Sequence, residues 1–264
     1  MVQYFSFLRH EFHRKRRERK AYKSFDLSAE DQLILESLRE NGWAVVDLGL
    51  SEAELADMRT EIDALFEKHS DHVQIDKQGA DKRLFGYEKV SPHGKAFHEN
   101  KRLQSILDAY RGMHYTFKCT MAGRIKAVEG NLGSGGGWHR DTADFPQVKS
   151  IVYLSDVDET NGPFQYVEGS HERESYMRVA RKAGLPWNER RFDHDTVMRI
   201  VDANGWNTST VTAKAGSIVL ADTSGLHRGM PIQQGTRYAY TNYIWYPDEW
   251  ISEKIKSLII PQSD

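Results

Sequence analysis

From Tyr115 onward the chain breaks into short runs of β-branched and aromatic residues, each closed by turn-forming residues. The runs are "YTFKCTMAGRIKAVEG", "VKSIVYLSDV", "GPFQYVEG", "GSIVLAD" and "TRYAYTNYIWY". Strands of this length without alternating helices favour a sandwich or barrel over a parallel α/β sheet. At 264 residues, a single core of that kind fills one domain.

The first 111 residues have a different texture. Ser28 with Glu30 and Asp31 opens a helix whose Leu33, Leu35 and Leu38 make a stripe up to Asn41-Gly42. "WAVVDLG" reads as a strand, and Ser51 with Glu54 makes a capping box for a helix carrying Leu55, Met58, Ile62, Leu65 and Phe66. A further helix is predicted within 95–111. The division is therefore residues 1–24 as a basic aromatic segment and 25–264 as one domain. Within it, 25–111 form a mostly helical flank and 115–250 a β core, interrupted by an insertion over 172–213. An insertion of that length reads as a lid or a substrate-binding element.

Charge excludes some functions. A net charge of −2 creates no field that would gather nucleic acid. The single Cys119 excludes a disulfide framework or a cysteine-based metal cluster within the chain, and a reducing cytoplasm is the natural compartment. No run approaches the length of a membrane span. The aromatic residues Tyr4, Phe5, Phe7 and Phe12, with Leu8, followed by "HRKRRERK" suit a helix lying on an anionic membrane surface. Peripheral association with the inner face of a membrane is the corresponding expectation.

Chemistry concentrates in "GSGGGWHRDTADFP", residues 133–146. On a strand, His139 and Asp141 project to one face and Arg140 to the other. The two can therefore occupy adjacent positions on one metal ion, and His227, just beyond "SIVLAD", can supply a third. Two histidines and a carboxylate with open positions are the facial triad of non-haem iron(II) oxygenases. Arg237, at the start of an aromatic strand, needs a carboxylate partner once buried, and the second carboxylate of 2-oxoglutarate would serve. Gly135, Gly136 and Gly137 can bring the backbone close to a ligand, and the loop is expected to form a moving rim of the site. His194-Asp195 is rejected as a metal pair because adjacent residues face apart.

"GWHRDTADFP", "VYLSDVDETNGPFQYVEGSH" and "AGSIVLADTSGLHRGMPIQQGTRYAYTNYIWY", with "NGWAVVDLGLSEAELADM" before them, resemble the phytanoyl-CoA dioxygenase-like branch of the iron(II)/2-oxoglutarate oxygenases. The resemblance covers roughly residues 28 to 250. It implies a mainly β fold with flanking helices, built on a double-stranded β-helix (a jelly-roll or cupin-like core). His139, Asp141 and His227 would bind Fe(II). Arg237 would bind 2-oxoglutarate, with Lys126 as a further cosubstrate contact, dioxygen as co-reactant and ascorbate as reductant. Arg124, Arg140 and His194 are candidate substrate contacts, and His171 in "EGSH" reads as a packing residue.

A carboxylate at 141 argues for hydroxylation, since related halogenases place a small residue there. The reaction implied is oxidation of an unactivated C–H bond with release of succinate and carbon dioxide. A small or lipid-linked anionic metabolite, such as an envelope sugar acid, is the expected substrate. The aromatic residues after Arg237 lack the second arginine of the DNA-dealkylating relatives, so nucleic acid is not the expected substrate. A non-catalytic metal- or carboxylate-binding barrel is the alternative function, and desaturation, cyclisation or epimerisation are alternative outcomes of the same chemistry.

Overall fold

The computed structural model describes residues 25–114, 117–143, 146–245 and 253–261. The basic aromatic segment 1–24, with its expected membrane contact, lies outside the described residues, as does the end of the last aromatic run. Helix α1 (Ala29–Asn41) starts where Ser28 accepts from the Asp31 amide and stops at Gly42, whose φ of 86° is left-handed. That position also excludes a side chain sterically, because a Cβ there would lie 2.5 Å from both the His171 ring and the Tyr166 hydroxyl. Strand β1 (Trp43–Asp47) follows, then α2 (Glu52–Lys68) behind the predicted Ser51–Glu54 capping box.

Residues 95–111, predicted as one helix, form parts of two: α3 (Pro92–His98) and α4 (Lys101–Arg111). Asn100 divides them, since its side chain accepts from the Leu103 amide and caps a new helix start. Between α2 and α3 lies a hairpin that the helical reading of the flank missed, β2 (Gln74–Ile75) and β3 (Asp81–Phe85). It belongs to the core, because β3 pairs antiparallel with β4 (Phe117–Lys126).

The remaining strands are β5 (Val148–Tyr153), β6 (Phe164–Val167), β7 (Thr208–Val211), β8 (Ser217–Asp222), β9 (His227–Gly229) and β10 (Thr236–Trp245). Two antiparallel sheets result, ordered β1-β8-β5-β10-β4-β3-β2 and β7-β6-β9. The larger sheet lies between α1–α4 and the smaller sheet. Its outer face packs Leu84, Ala122, Val152, Leu220 and Tyr240 against Leu35, Leu38, Ile62 and Ile106 of the helices. This is the mainly β, helix-flanked jelly roll that the sequence implies.

Residues 172–213 are not wholly an insertion. Helices α5 (Arg173–Lys182) and α6 (His194–Asn204) leave the barrel, but Thr208–Val211 return to it as β7, an edge strand of the smaller sheet. The two helices pack Tyr176, Val179, Val197 and Ile200 onto Trp138, Val167 and Leu226. Helix α7 (Glu253–Leu258) closes the described chain, with Ile259 bridging to Phe85. No helix among the described residues is long and apolar enough to cross a membrane.

Leu220 is fully buried on β8, between β1 and β5 and beneath the helices. Leu220→Ala is expected to cost about 3 kcal/mol, combining lost transfer energy with a cavity the rigid sheet cannot close. Urea unfolding of the two proteins measures the difference.

Candidate metal centre

The amide of His139 donates to the carbonyl of His227 and the amide of His227 donates to the carbonyl of His139, each at 2.9 Å. Such an exchange pair puts two side chains on the same side of a ladder, and the imidazole centroids are 4.2 Å apart. The segment before Asp141 is held on its other edge too: Arg140 donates to the Arg190 carbonyl and Phe192 to the Trp138 carbonyl. The insertion therefore grips the segment that carries His139 and Asp141. Asp141, whose amide donates to the Thr223 carbonyl, follows at i+2 and turns its carboxylate onto the histidines. Its Oδ1 is 3.8 Å from His139 Nε2 and its Oδ2 3.8 Å from His227 Nε2. The three ligand atoms lie within 4.8 Å of one another, the one such group among the described residues.

Hydrogen bonding on the far side of each ring selects the tautomer. His139 Nδ1 is 2.8 Å from the Gly137 carbonyl and His227 Nδ1 is 2.9 Å from the Gly225 carbonyl. A carbonyl only accepts, so both Nδ1 atoms carry hydrogen and both Nε2 atoms present a lone pair inward. Burial reinforces this by lowering the pKa of His139 to about 4 and that of His227 well below the ordinary value. Burial opposes the charge on Asp141, yet the ammonium of Lys149, 2.6 Å from Oδ2, holds its carboxyl well below the usual range. Two neutral imidazoles and an ionised carboxylate are what a divalent transition ion requires.

The site opens into a cavity of about 700 Å³ between the inner faces of the two sheets. Arg237 lines it, is 8% exposed, and has its pKa lowered mainly by burial. Its register partner Ile125 shares this inner face. Lys126 therefore points the other way, is exposed, and lies away from the cavity; the expected cosubstrate contact is corrected on that ground.

Strand parity also moves Arg124, whose guanidinium pairs with Asp63 of α2 and stacks 5.7 Å from the Phe66 centroid. Arg140 is buried on the far side of the ligand strand, 3.8 Å over the Tyr176 ring, with Nε donating to the Ser224 carbonyl. His194 caps no cavity wall; it is exposed, and its Nδ1 accepts from the Trp138 indole at 3.2 Å. Arg140 and His194 do not line the cavity, and Arg124, which borders it, has its guanidinium engaged by Asp63 on the helix side of the sheet. His171 packs as expected, with Nε2 donating to the Arg39 carbonyl at 3.0 Å.

Two residues that sequence reasoning passed over, Lys149 and Arg83, take those places. Lys149 reaches in from β5, and Arg83 from β3, where it bonds Asp81 and Ser134 Oγ. Arg191 donates to the Gly135 carbonyl at the rim. The glycine loop is packed on the ligand itself: a Cβ at Gly135 would lie 2.3 Å from His139 Cε1.

Residues 38–236 match the phytanoyl-CoA dioxygenase (PhyH) family. The chain belongs to that family. As a member of it, the protein shares its fold with solved structures of low sequence identity. The epimerase SnoN, solved with Fe3+, alpha ketoglutarate and nogalamycin RO, aligns at a TM-score of 0.63 and 16% identity over 83% of this chain and 84% of its own. EctD from S. alaskensis, solved with bound Fe, aligns at 0.59 and 17% over 83% and 76%. HygX from Streptomyces hygroscopicus, solved with nickel and 2-oxoglutarate, aligns at 0.53 and 17% over 84% and 89%. No curated protein sequence matches the chain.

Two predictions test the geometry. Gly135 and Gly137 both have left-handed φ, 88° and 89°, but a Cβ at Gly137 would meet nothing within 4 Å. Each alanine variant is expected to lose about 1 kcal/mol of stability through backbone strain. Only Gly135→Ala is expected to weaken divalent metal binding as well, which equilibrium titration would show.

The second prediction concerns pH. His139 and His98 both have pKa values lowered to about 4, chiefly by burial. Native-state protonation lags that of the unfolded chain, so the metal-free protein loses stability as pH falls from about 6.5 toward 4. His139→Gln is expected to flatten that slope and His98 to retain part of it, as read by denaturation at a series of pH values.

Proposed function

We propose that this protein is an iron(II)- and 2-oxoglutarate-dependent oxygenase that hydroxylates an unactivated C–H bond of a small anionic metabolite. The observation that carries this reading is the meeting of two inward Nε2 lone pairs and one ionised carboxylate at a buried point. Bound there, iron(II) would supply a centre at which 2-oxoglutarate and dioxygen react, with release of succinate and carbon dioxide.

The protein's own part is to bind, orient and insulate. His139, Asp141 and His227 would hold the ion from one side and leave the cavity side open. Arg237 supplies a fork of donors in a buried place where a carboxylate gains most from charge-assisted bonds. Ile125, Ile151 and Phe164 supply apolar wall, which strengthens these interactions by keeping the local dielectric low. Ile75 and Leu132 expose apolar side chains at the rim, suiting a substrate with a hydrophobic body. Hydroxylation is favoured over halogenation because Asp141 fills the position a halide would need.

A second reading is cyclisation or epimerisation with the same cofactors. It is favoured by solved neighbours named as a carbocyclase, SnoK, and an epimerase, SnoN. Which hydrogen faces the metal, and for how long the substrate is held, would decide between the outcomes.

Anaerobic titration of metal-free protein with iron(II) and then 2-oxoglutarate is the test, read by the visible charge-transfer band of a chelated keto-acid. The band is expected in the wild-type protein and absent in His139→Ala. Arg237→Met is expected to bind iron normally but to need about tenfold more 2-oxoglutarate or beyond, the loss of one charge-assisted pair. A folded wild-type protein that gives no band would overturn the reading.

A further inference from the structure

Lys149 enters the cavity beside the triad in surroundings unusual for a lysine. Its side chain is 8% exposed, its ammonium is 4.3 Å from the Tyr243 ring centroid, and its carboxylate partner is Asp141. A buried ammonium requires a counter-charge, and here the counter-charge is itself a candidate metal ligand.

The arginines along the cavity differ from Lys149 in this respect. Arg83 is paired with Asp81, Arg124 with Asp63, and Arg191 with the Gly135 carbonyl, none of which belongs to the triad. Arg237 faces the cavity and is already assigned to the cosubstrate. Lys149 is the cation whose partner a metal ion would take.

The two demands on Asp141 meet at the same atoms. Oδ2, which Lys149 holds at 2.6 Å, is also the oxygen facing His227, while Oδ1 faces His139. An ion held by both imidazoles would therefore draw on the same carboxylate that Lys149 holds. A dication there neutralises Asp141 and repels the ammonium, leaving a buried positive charge in need of another anion. The side chain already lines the cavity, so the anion it can reach is one carried by a bound molecule.

We propose that Lys149 is a substrate-positioning residue that exchanges partners, holding Asp141 in the metal-free protein and an oxyanion of the substrate once metal is bound. The substrate class is then a carboxylate, phosphate or sulfate ester whose charged group sits beside the metal rather than at the rim. Metal and substrate anion bind with positive coupling, because each relieves a charge that the other leaves uncompensated. The inference rests on the metal-site reading above.

Calorimetric titration with nickel(II), which binds such ligands without redox chemistry, separates the two. The proteins are wild type, His139→Ala and Lys149→Met, each with and without excess sulfate as the probe oxyanion. Failure of the wild type to bind nickel would remove the metal-site reading itself. With binding present in the wild type and lost in His139→Ala, Lys149→Met is expected to bind nickel about tenfold more tightly. Sulfate is expected to tighten nickel binding about fivefold in the wild type and to leave Lys149→Met unchanged.

Equal or weaker nickel binding by folded Lys149→Met, or a wild-type affinity indifferent to sulfate, overturns the proposal. Lys149→Gln replaces Lys149→Met if circular dichroism shows the latter unfolded. Lys149→Arg, which keeps the charge, is expected to retain the wild-type nickel affinity, a result that mere packing at this position would not produce.

Discussion

The reciprocal backbone pair between His139 and His227 sets the geometry on which the rest of the site depends. Metal ligands carried on flexible side chains would lose entropy on ordering and drift apart without an ion. Here the two ligands are held by main-chain bonds of a sheet, and only the ring rotations remain to be fixed. The Gly137 and Gly225 carbonyls fix those, each two residues before its histidine. Asp141 follows two residues on, its amide held by the Thr223 carbonyl, and its carboxylate lies on the side of the rings. The helices of the insertion reinforce the arrangement from behind by burying Trp138 and Leu226, the residues preceding the two histidines.

Rigid placement has an electrostatic consequence. Pressing a carboxylate between two neutral imidazoles in a largely buried site would leave it uncompensated, and a missing partner for a buried charge costs several kcal/mol. Lys149 supplies the compensation, and the Tyr243 ring face beside it lowers the cost of burying the ammonium. The glycine loop answers a steric version of the same demand. Gly135 passes so close to the His139 ring that no side chain fits, so the backbone itself forms the wall that keeps the imidazole from turning outward.

How far the sequence disclosed this depends on the kind of information each residue carries. The triad was legible because i, i+2 spacing on a strand has one geometric meaning, and the jelly roll was legible from the strand runs together with the family motifs. Lys126 and Lys149 show the limit. Both are lysines on core strands, and which one faces the cavity is set by pairing register, where a shift of one residue exchanges the faces. The register became visible only with Arg237 opposite Ile125 and Tyr243 opposite Lys149. The β2–β3 hairpin was hidden for another reason: "QIDKQGADKRLF" is too polar and too short-run to announce strands, and β3 is held by its pairing with β4 rather than by intrinsic propensity. Arg140 failed as a substrate contact because the parity argument that sends its neighbours inward sends it onto Tyr176.

The two sheets divide the work of the cavity. Ligand atoms for a metal come from β9 and the strand segment beside it, while the charges that would orient other molecules, Arg83, Lys149 and Arg237, stand on the larger sheet. The rim is a third component, made by the β2–β3 hairpin, the glycine loop and the segment between α5 and α6. Changing which molecule enters thus requires altering the rim and a few inward positions of the larger sheet, without disturbing the backbone exchange that fixes the ligands. Structures named for an epimerase and a carbocyclase share this fold at 16% identity. On that argument the inward positions of β5, Lys149, Ile151 and Tyr153, are where the proposed substrate preference would be set, because they line the cavity together with the triad and the rim.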